Sequence, residues 1–126
     1  MIVFFICTGL IGLLAAVLTI NVGRMRTQKK IFLGDGGDPE MTAAIRTHGN
    51  LLELAPLCLL VIWLLHGPYG NRAIAVLAIL LLLARLLHAG GMLGFVGFGR
   101  AAGAIGTTVV LTIASIMLVW AGIQAL

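Results

Sequence analysis

Apolar residues run along this chain in four long blocks, about residues 2–22, 39–66, 71–92 and 100–124, separated by short polar stretches. Each block is too long and too continuous for a strand, and a helix needs roughly 20 mostly apolar residues to cross a hydrocarbon core. Short connections leave successive helices antiparallel. The pattern therefore predicts an all-α integral membrane protein: an up-and-down four-helix transmembrane bundle, one domain over residues 1–126. The second block, roughly 28 residues, would be about 42 Å long against a core of about 30 Å, so it must tilt or protrude. In the first connection Gly34, Gly36 and Gly37 make a turn, Asp38 suits the cap of the second helix and Pro39 its first position. Glu40 then faces the positive end of that helix dipole.

Composition agrees: of 126 residues 61% are hydrophobic and 10% charged, and the mean hydropathy is +1.17, far from an ordinary soluble domain. The net charge of +4 does not point to nucleic acid, because Arg24, Arg26, Lys29 and Lys30 sit together in what reads as one short loop. They read as an orientation signal. With Arg100 before the fourth helix and only Arg72 on the opposite side, the positive-inside rule puts both termini outside and the 1–2 and 3–4 connections in the cytoplasm. The amino terminus lacks the basic start of a cleavable signal and is span length, so it reads as a retained first helix. Cys7 and Cys58 lie singly in apolar runs, which supports neither a disulfide framework nor a metal site.

In this topology the end of helix 1, the start of helix 2, the end of helix 3 and the start of helix 4 share one membrane face. Arg24, Arg46, Asn50, Glu53, Arg85, His88 and Arg100 all fall there. At 100° per residue Arg46, Asn50 and Glu53 lie within a stripe about 60° wide. Arg85, His88 and Met92 form a second stripe on helix 3. Charges at membrane depth should face the protein interior and find partners, and the simplest partner for Glu53 is Arg85. One reading is a structural ion pair with Asn50 and His88 as interhelical hydrogen bonds. The excess of cations over that single carboxylate instead invites an anionic ligand. His48 points away from the stripe, towards another helix or subunit, and His66 belongs to the far connection. Pro56 removes an N–H donor one turn past Glu53 and favours a kink there. Trp63 and Trp120 suit interfacial anchoring. In GFGRAAG, Gly99 and Gly103 have the small-xxx-small spacing of close helix packing, and no strand precedes them to make a phosphate loop.

The pattern R-x-H-x-N-x-x-E followed by Pro, here Arg46, His48, Asn50, Glu53 and Pro56, together with R-x-x-H at Arg85 and His88, resembles the membrane-associated proteins in eicosanoid and glutathione metabolism. The GDGGDPE loop and the ARLLH run are most similar to the small bacterial branch of that family. The resemblance implies a homotrimer in the bacterial inner membrane, with glutathione bound between subunits near the cytoplasmic face. It also implies thiol transfer to a small lipophilic electrophile or hydroperoxide, as in detoxification by microsomal glutathione transferases. By the same resemblance Arg24, with Arg26 as competitor, Arg46, Asn50, Glu53, Arg85 and His88 bind glutathione. Arg100 activates its sulfur, because a guanidinium and a helix amino terminus favour the thiolate. Gly49 stands where prominent members carry a second arginine and Met92 where they carry a tyrosine, departures that point away from eicosanoid synthesis.

Two other function classes compete. A non-catalytic family member would keep the scaffold and bind lipid or another anion. A small multidrug exporter would use Glu53 to exchange protons, which requires that carboxylate to be free of permanent arginine partners.

Overall fold

A computed structural model describes residues Met1–Leu126, and it contains four helices, α1 (Ile2–Lys29), α2 (Pro39–Leu64), α3 (His66–Met92) and α4 (Gly99–Gln124). All four are long and apolar enough to span a membrane. Their outward faces carry Leu13, Val17, Leu60, Leu83, Ile113 and Ile116, all exposed, as lipid contact requires.

Two boundaries differ from the hydrophobic pattern. The first helix extends through Arg24, Arg26 and Lys29 to Lys29, so these basic residues lie on its last turns and not in a loop. Arginine, methionine, lysine and glutamine are good helix formers, and cations stabilise a helix carboxyl end through the dipole. The helix stops at Lys30, whose left-handed φ of 55° turns the next N–H, that of Ile31, back to the Arg26 carbonyl at 3.0 Å. At the opposite face almost no connection exists: Leu65 alone separates α2 from α3. The break falls inside α3 at Gly70 (φ 71°, ψ −173°), so the spanning part begins at Asn71. Only a glycine adopts that backbone readily.

As the sequence predicts, Asp38 caps α2 by accepting the Met41 N–H at 2.8 Å, and Pro39 takes the first helical position. Lys29 reaches back to Asp38 at 2.6 Å and Glu40 at 2.8 Å, tying the end of α1 to the start of α2. Asp35 accepts the Gly37 N–H and the Thr42 hydroxyl. Helix α2 continues through Pro56.

The core is organised around α3, which buries Ile74, Leu77, Ala78, Leu81, Ala84, Arg85, His88 and Ala89 at helical spacing. Its contact with α4 is backbone on backbone. A Cβ at Gly103 would strike the His88 N–H and the Ala84 carbonyl, one at Gly99 the Leu87 carbonyl, and one at Gly91 the backbone of Arg100. The small-xxx-small motif is thus a seam that brings the starts of α4 and the end of α3 together. At the other face the Met1 ammonium donates to Asn71 Oδ1 (2.9 Å), the Tyr69 hydroxyl donates to the Met117 carbonyl (3.1 Å), and Trp63 stacks on Phe5.

The seam makes a sharp prediction. Gly103→Leu forces α3 and α4 apart and lowers the thermal unfolding temperature in detergent, with a cost of at least about 1–3 kcal/mol, the usual range for overpacking. Gly122→Ala, where no atom lies within 4 Å of the added Cβ, leaves it unchanged or slightly raised. Equal loss in both variants would count against the seam.

The first connection has its own pH dependence. The Gly37 N–H, and then the Thr42 hydroxyl, hold the Asp35 carboxyl below the usual aspartate range, and Lys29, then the Met41 N–H, do the same for Asp38. A folded-state value below the unfolded one means stability that is present above about pH 4 and lost as pH falls through the lower, folded values. Hydrogen-exchange protection of the Gly37 and Met41 amides should therefore hold at neutral pH and fall in that acid window; protection that stays flat throughout it contradicts the assignment.

Candidate functional site

The polar residues at the α1-end face divide into a buried group and an exposed group. Arg85, only 1% exposed, is the centre of the first. Its Nη2 donates to Asn50 Oδ1 on α2 at 2.7 Å, its Nη1 donates to Thr107 Oγ1 on α4 at 3.2 Å, and His88 Nδ1 lies 3.4 Å from Nη2. Thr107 can accept because its own proton goes to the Gly103 carbonyl at 2.8 Å. The Arg85 Nε–H has no partner. A permanently charged guanidinium is thus buried among neutral acceptors from three helices, with no carboxylate in ion-pair range.

The expected Glu53–Arg85 pair is not formed. Glu53 instead meets Arg46 on its own helix at 3.5 Å, and both side chains are more than half exposed (56% and 58%). The reason lies in the small residues of α2. Its buried stripe is Met41, Ala44, Thr47, Leu51, Ala55, Cys58 and Ile62, centred roughly 150° around the helix from Arg46 and Glu53 at 100° per residue. The polar stripe therefore points out of the bundle and not into it. Asn50, at the edge between the two faces, is the one member that reaches α3.

His48 lies on the other side of α2, where its Nε2 is 2.9 Å from Thr19 Oγ1 of α1. The Thr19 hydroxyl donates to the Ala15 carbonyl, so the imidazole Nε2–H is the donor. This is the interhelical bond expected of it. Gly49 sits beside the exposed pair: a Cβ there would lie 3.7 Å from Glu53 Oε1 and 4.0 Å from Arg46 Nη1, ordinary contact distances. His66 stacks on Trp63 at the far face, away from all of these groups.

Arg24 and Arg26 have different surroundings. Arg26 Nη1 donates to the carbonyls of Ile31 (3.2 Å) and Gly34 (3.0 Å) and holds the first connection, whereas Arg24 is exposed and makes neither a side-chain hydrogen bond nor an ion pair. Arg100 is the second residue of α4, exposed and unpaired. The α4 amino terminus has no side-chain cap, so the positive end of its dipole and the Arg100 guanidinium fall together there. Met92, the third member of the α3 stripe, lines a crevice of about 440 Å³ with Asn21, Met25, Glu40 and Phe95, between the end of α1, the start of α2 and the α3–α4 connection.

The sequence pattern alone does not mark Thr107 as a partner of Arg85. A threonine four residues beyond Gly103 on the small-residue seam was the available signal, since the seam brings that position against α3. No three His, Cys, Asp or Glu side chains gather into a metal-binding group, and Cys7 and Cys58 are buried free thiols.

Comparison with known proteins agrees with this architecture. The inner membrane protein YecN of Escherichia coli strain K12 is 33% identical over 78 residues, 61% of this chain, and YecN of E. coli O6:H1 strain CFT073 matches to the same extent. The match covers 60% of the length of these relatives. Residues 4–120 match the MAPEG family model, nearly the whole chain and all four helices. The resemblance carried by Arg46, Asn50, Glu53, Arg85 and His88 thus meets an independent match over the whole bundle, and the chain belongs to the MAPEG family.

Proposed function

We propose that this protein is a membrane-bound, glutathione transferase- or peroxidase-like enzyme of the inner membrane that activates a thiol, glutathione, against lipophilic electrophiles or hydroperoxides. The observation that carries the reading is the group of cations at one membrane face that no carboxylate neutralises: Arg24, Arg85 and Arg100 have no carboxylate partner, and the Arg46–Glu53 pair is open to the outside of the bundle. Glutathione has two carboxylates, one ammonium and one thiol. Arg46 and Arg24 suit the carboxylates, Glu53 the ammonium, and Asn50 the peptide, while Arg85 holds Asn50 in place from behind with His88 beside its guanidinium.

Exposed charges at membrane depth are costly against lipid. The Arg46–Glu53 face is therefore completed by a neighbouring copy in a homotrimer, which encloses the thiol between subunits. Arg26 is already engaged with loop carbonyls, which favours Arg24 as the ligand from α1. Arg100 and the open amino terminus of α4 stabilise the thiolate. The sulfur lone pair then forms a bond to the electrophilic carbon as the leaving group departs with its electrons; with a hydroperoxide the sulfur attacks the terminal oxygen, the O–O bond breaks and the alcohol leaves, and a second thiol displaces water from the resulting sulfenic acid to give the disulfide. The exporter reading loses its premise, because Glu53 has an arginine 3.5 Å away.

Arg100→Ala should lower kcat by about 10²-fold, the scale of losing one electrostatic stabiliser, and move the acid limb of the pH profile upward as thiolate becomes harder to form. Arg46→Ala should act on binding: a lost charge-assisted hydrogen bond of about 1.5–3 kcal/mol raises Kd roughly ten- to a hundredfold, read as a smaller thermal shift with glutathione. If folded protein shows no thermal shift with glutathione at all, the catalytic reading is wrong and the non-catalytic one stands.

A further inference from the structure

The face that carries both longer connections also carries four of the most exposed large apolar side chains. Phe32 and Leu33 in the α1–α2 connection are 85% and 91% exposed, and Phe95 and Phe98 in the α3–α4 connection are 81% and 70% exposed. A connection immersed in water would be expected to carry polar residues at such positions.

Nor are Phe32 and Leu33 the tip of a loose loop. The Arg26 guanidinium grips the carbonyls of Ile31 and Gly34, the residues on either side of them. Ile31 is folded inward onto Gly36, where φ is 62° and an added Cβ would lie 2.9 Å from Ile31 Cδ1. The carboxylates of the same connection are also turned inward: Asp35 onto Gly37 and Thr42, Asp38 onto Met41 and Lys29. What remains pointing outward is apolar side chain bordered by the exposed, unpaired cations Arg24, Lys30 and Arg100.

We infer that the two connections form an interfacial anchor: Phe32, Leu33, Phe95 and Phe98 enter the boundary between headgroups and acyl chains, and Lys30 binds the phosphate of an anionic lipid. The geometry requires this surface to lie at a membrane boundary, because both connections join spanning helices at the same face. Apolar insertion combined with basic residues is the chemistry by which protein segments hold an anionic membrane surface. A second copy of the chain is a poorer occupant, since it would bring the same cations against these. The inference is independent of the thiol chemistry and uses only the fold.

The test uses the two buried native cysteines to advantage, as they leave an introduced one selectively labelled. Full-length protein with Leu33→Cys, and separately Gln28→Cys as an exposed polar reference on α1, is nitroxide-labelled and placed in nanodiscs of phosphatidylcholine with or without phosphatidylglycerol. The label at 33 should be several-fold less accessible to a water-soluble nickel chelate than the label at 28, and more accessible to oxygen. In a parallel measurement, spin-labelled phosphatidylglycerol should be retained at the protein surface over spin-labelled phosphatidylcholine, and Lys30→Asn, which suits the left-handed backbone there, should reduce that preference about fivefold. Equal chelate access at both positions overturns the anchor. So does an absent lipid preference, or strong dipolar broadening between labels at 33 on neighbouring copies, which would make this face a protein interface.

Discussion

At the end of the bundle that carries the candidate site, the fold depends on one buried cation. Arg85 cannot lose its proton, and leaving such a charge without partners in a membrane interior costs several kcal/mol. Its guanidinium is therefore bonded to α2 through Asn50 and to α4 through Thr107, with His88 of its own helix alongside. Three helices are held in one register by one planar group whose donors point in fixed directions. A lysine would carry the same charge without that fork.

The bond from Arg85 to Thr107 exists only because α3 and α4 approach closely. Gly91, Gly99 and Gly103 remove the side chains that would hold the helices apart, and Thr107, one turn beyond Gly103, is carried to the guanidinium by the same approach. Burial of the charge and packing of the glycines are therefore two parts of one arrangement. It also sets the direction of α4, whose uncapped amino terminus and Arg100 emerge beside the end of α3.

Around this fixed junction the remaining charges face outward. Arg46 and Glu53 neutralise one another along the outer face of α2, Arg24 stands free on α1, and Lys29 binds the acidic start of α2. The buried network holds the scaffold, while the outer groups are available to something other than this one chain. Asn50 joins the two sets, as its amide oxygen is taken by Arg85 while its helix neighbours on either side open outward.

Much of this is legible in the sequence. Four spans, the Asp38–Pro39 start of α2 and the Gly99–Gly103 seam follow from local chemistry: hydrocarbon thickness, unpaired N–H groups at a helix start, and the room that glycine leaves. Hydropathy ends α1 too early, because it falls at Arg24 while helix propensity does not, and the helix runs on to Lys29. Periodicity showed that Arg46, Asn50 and Glu53 share a face, but not which way that face is turned. That was decided by tertiary packing, where the volumes of Ala44, Thr47, Ala55 and Cys58 let the opposite side of α2 sit against the bundle. Glu53 was thereby turned away from Arg85, and Thr107, distant in sequence and neutral, became its partner instead.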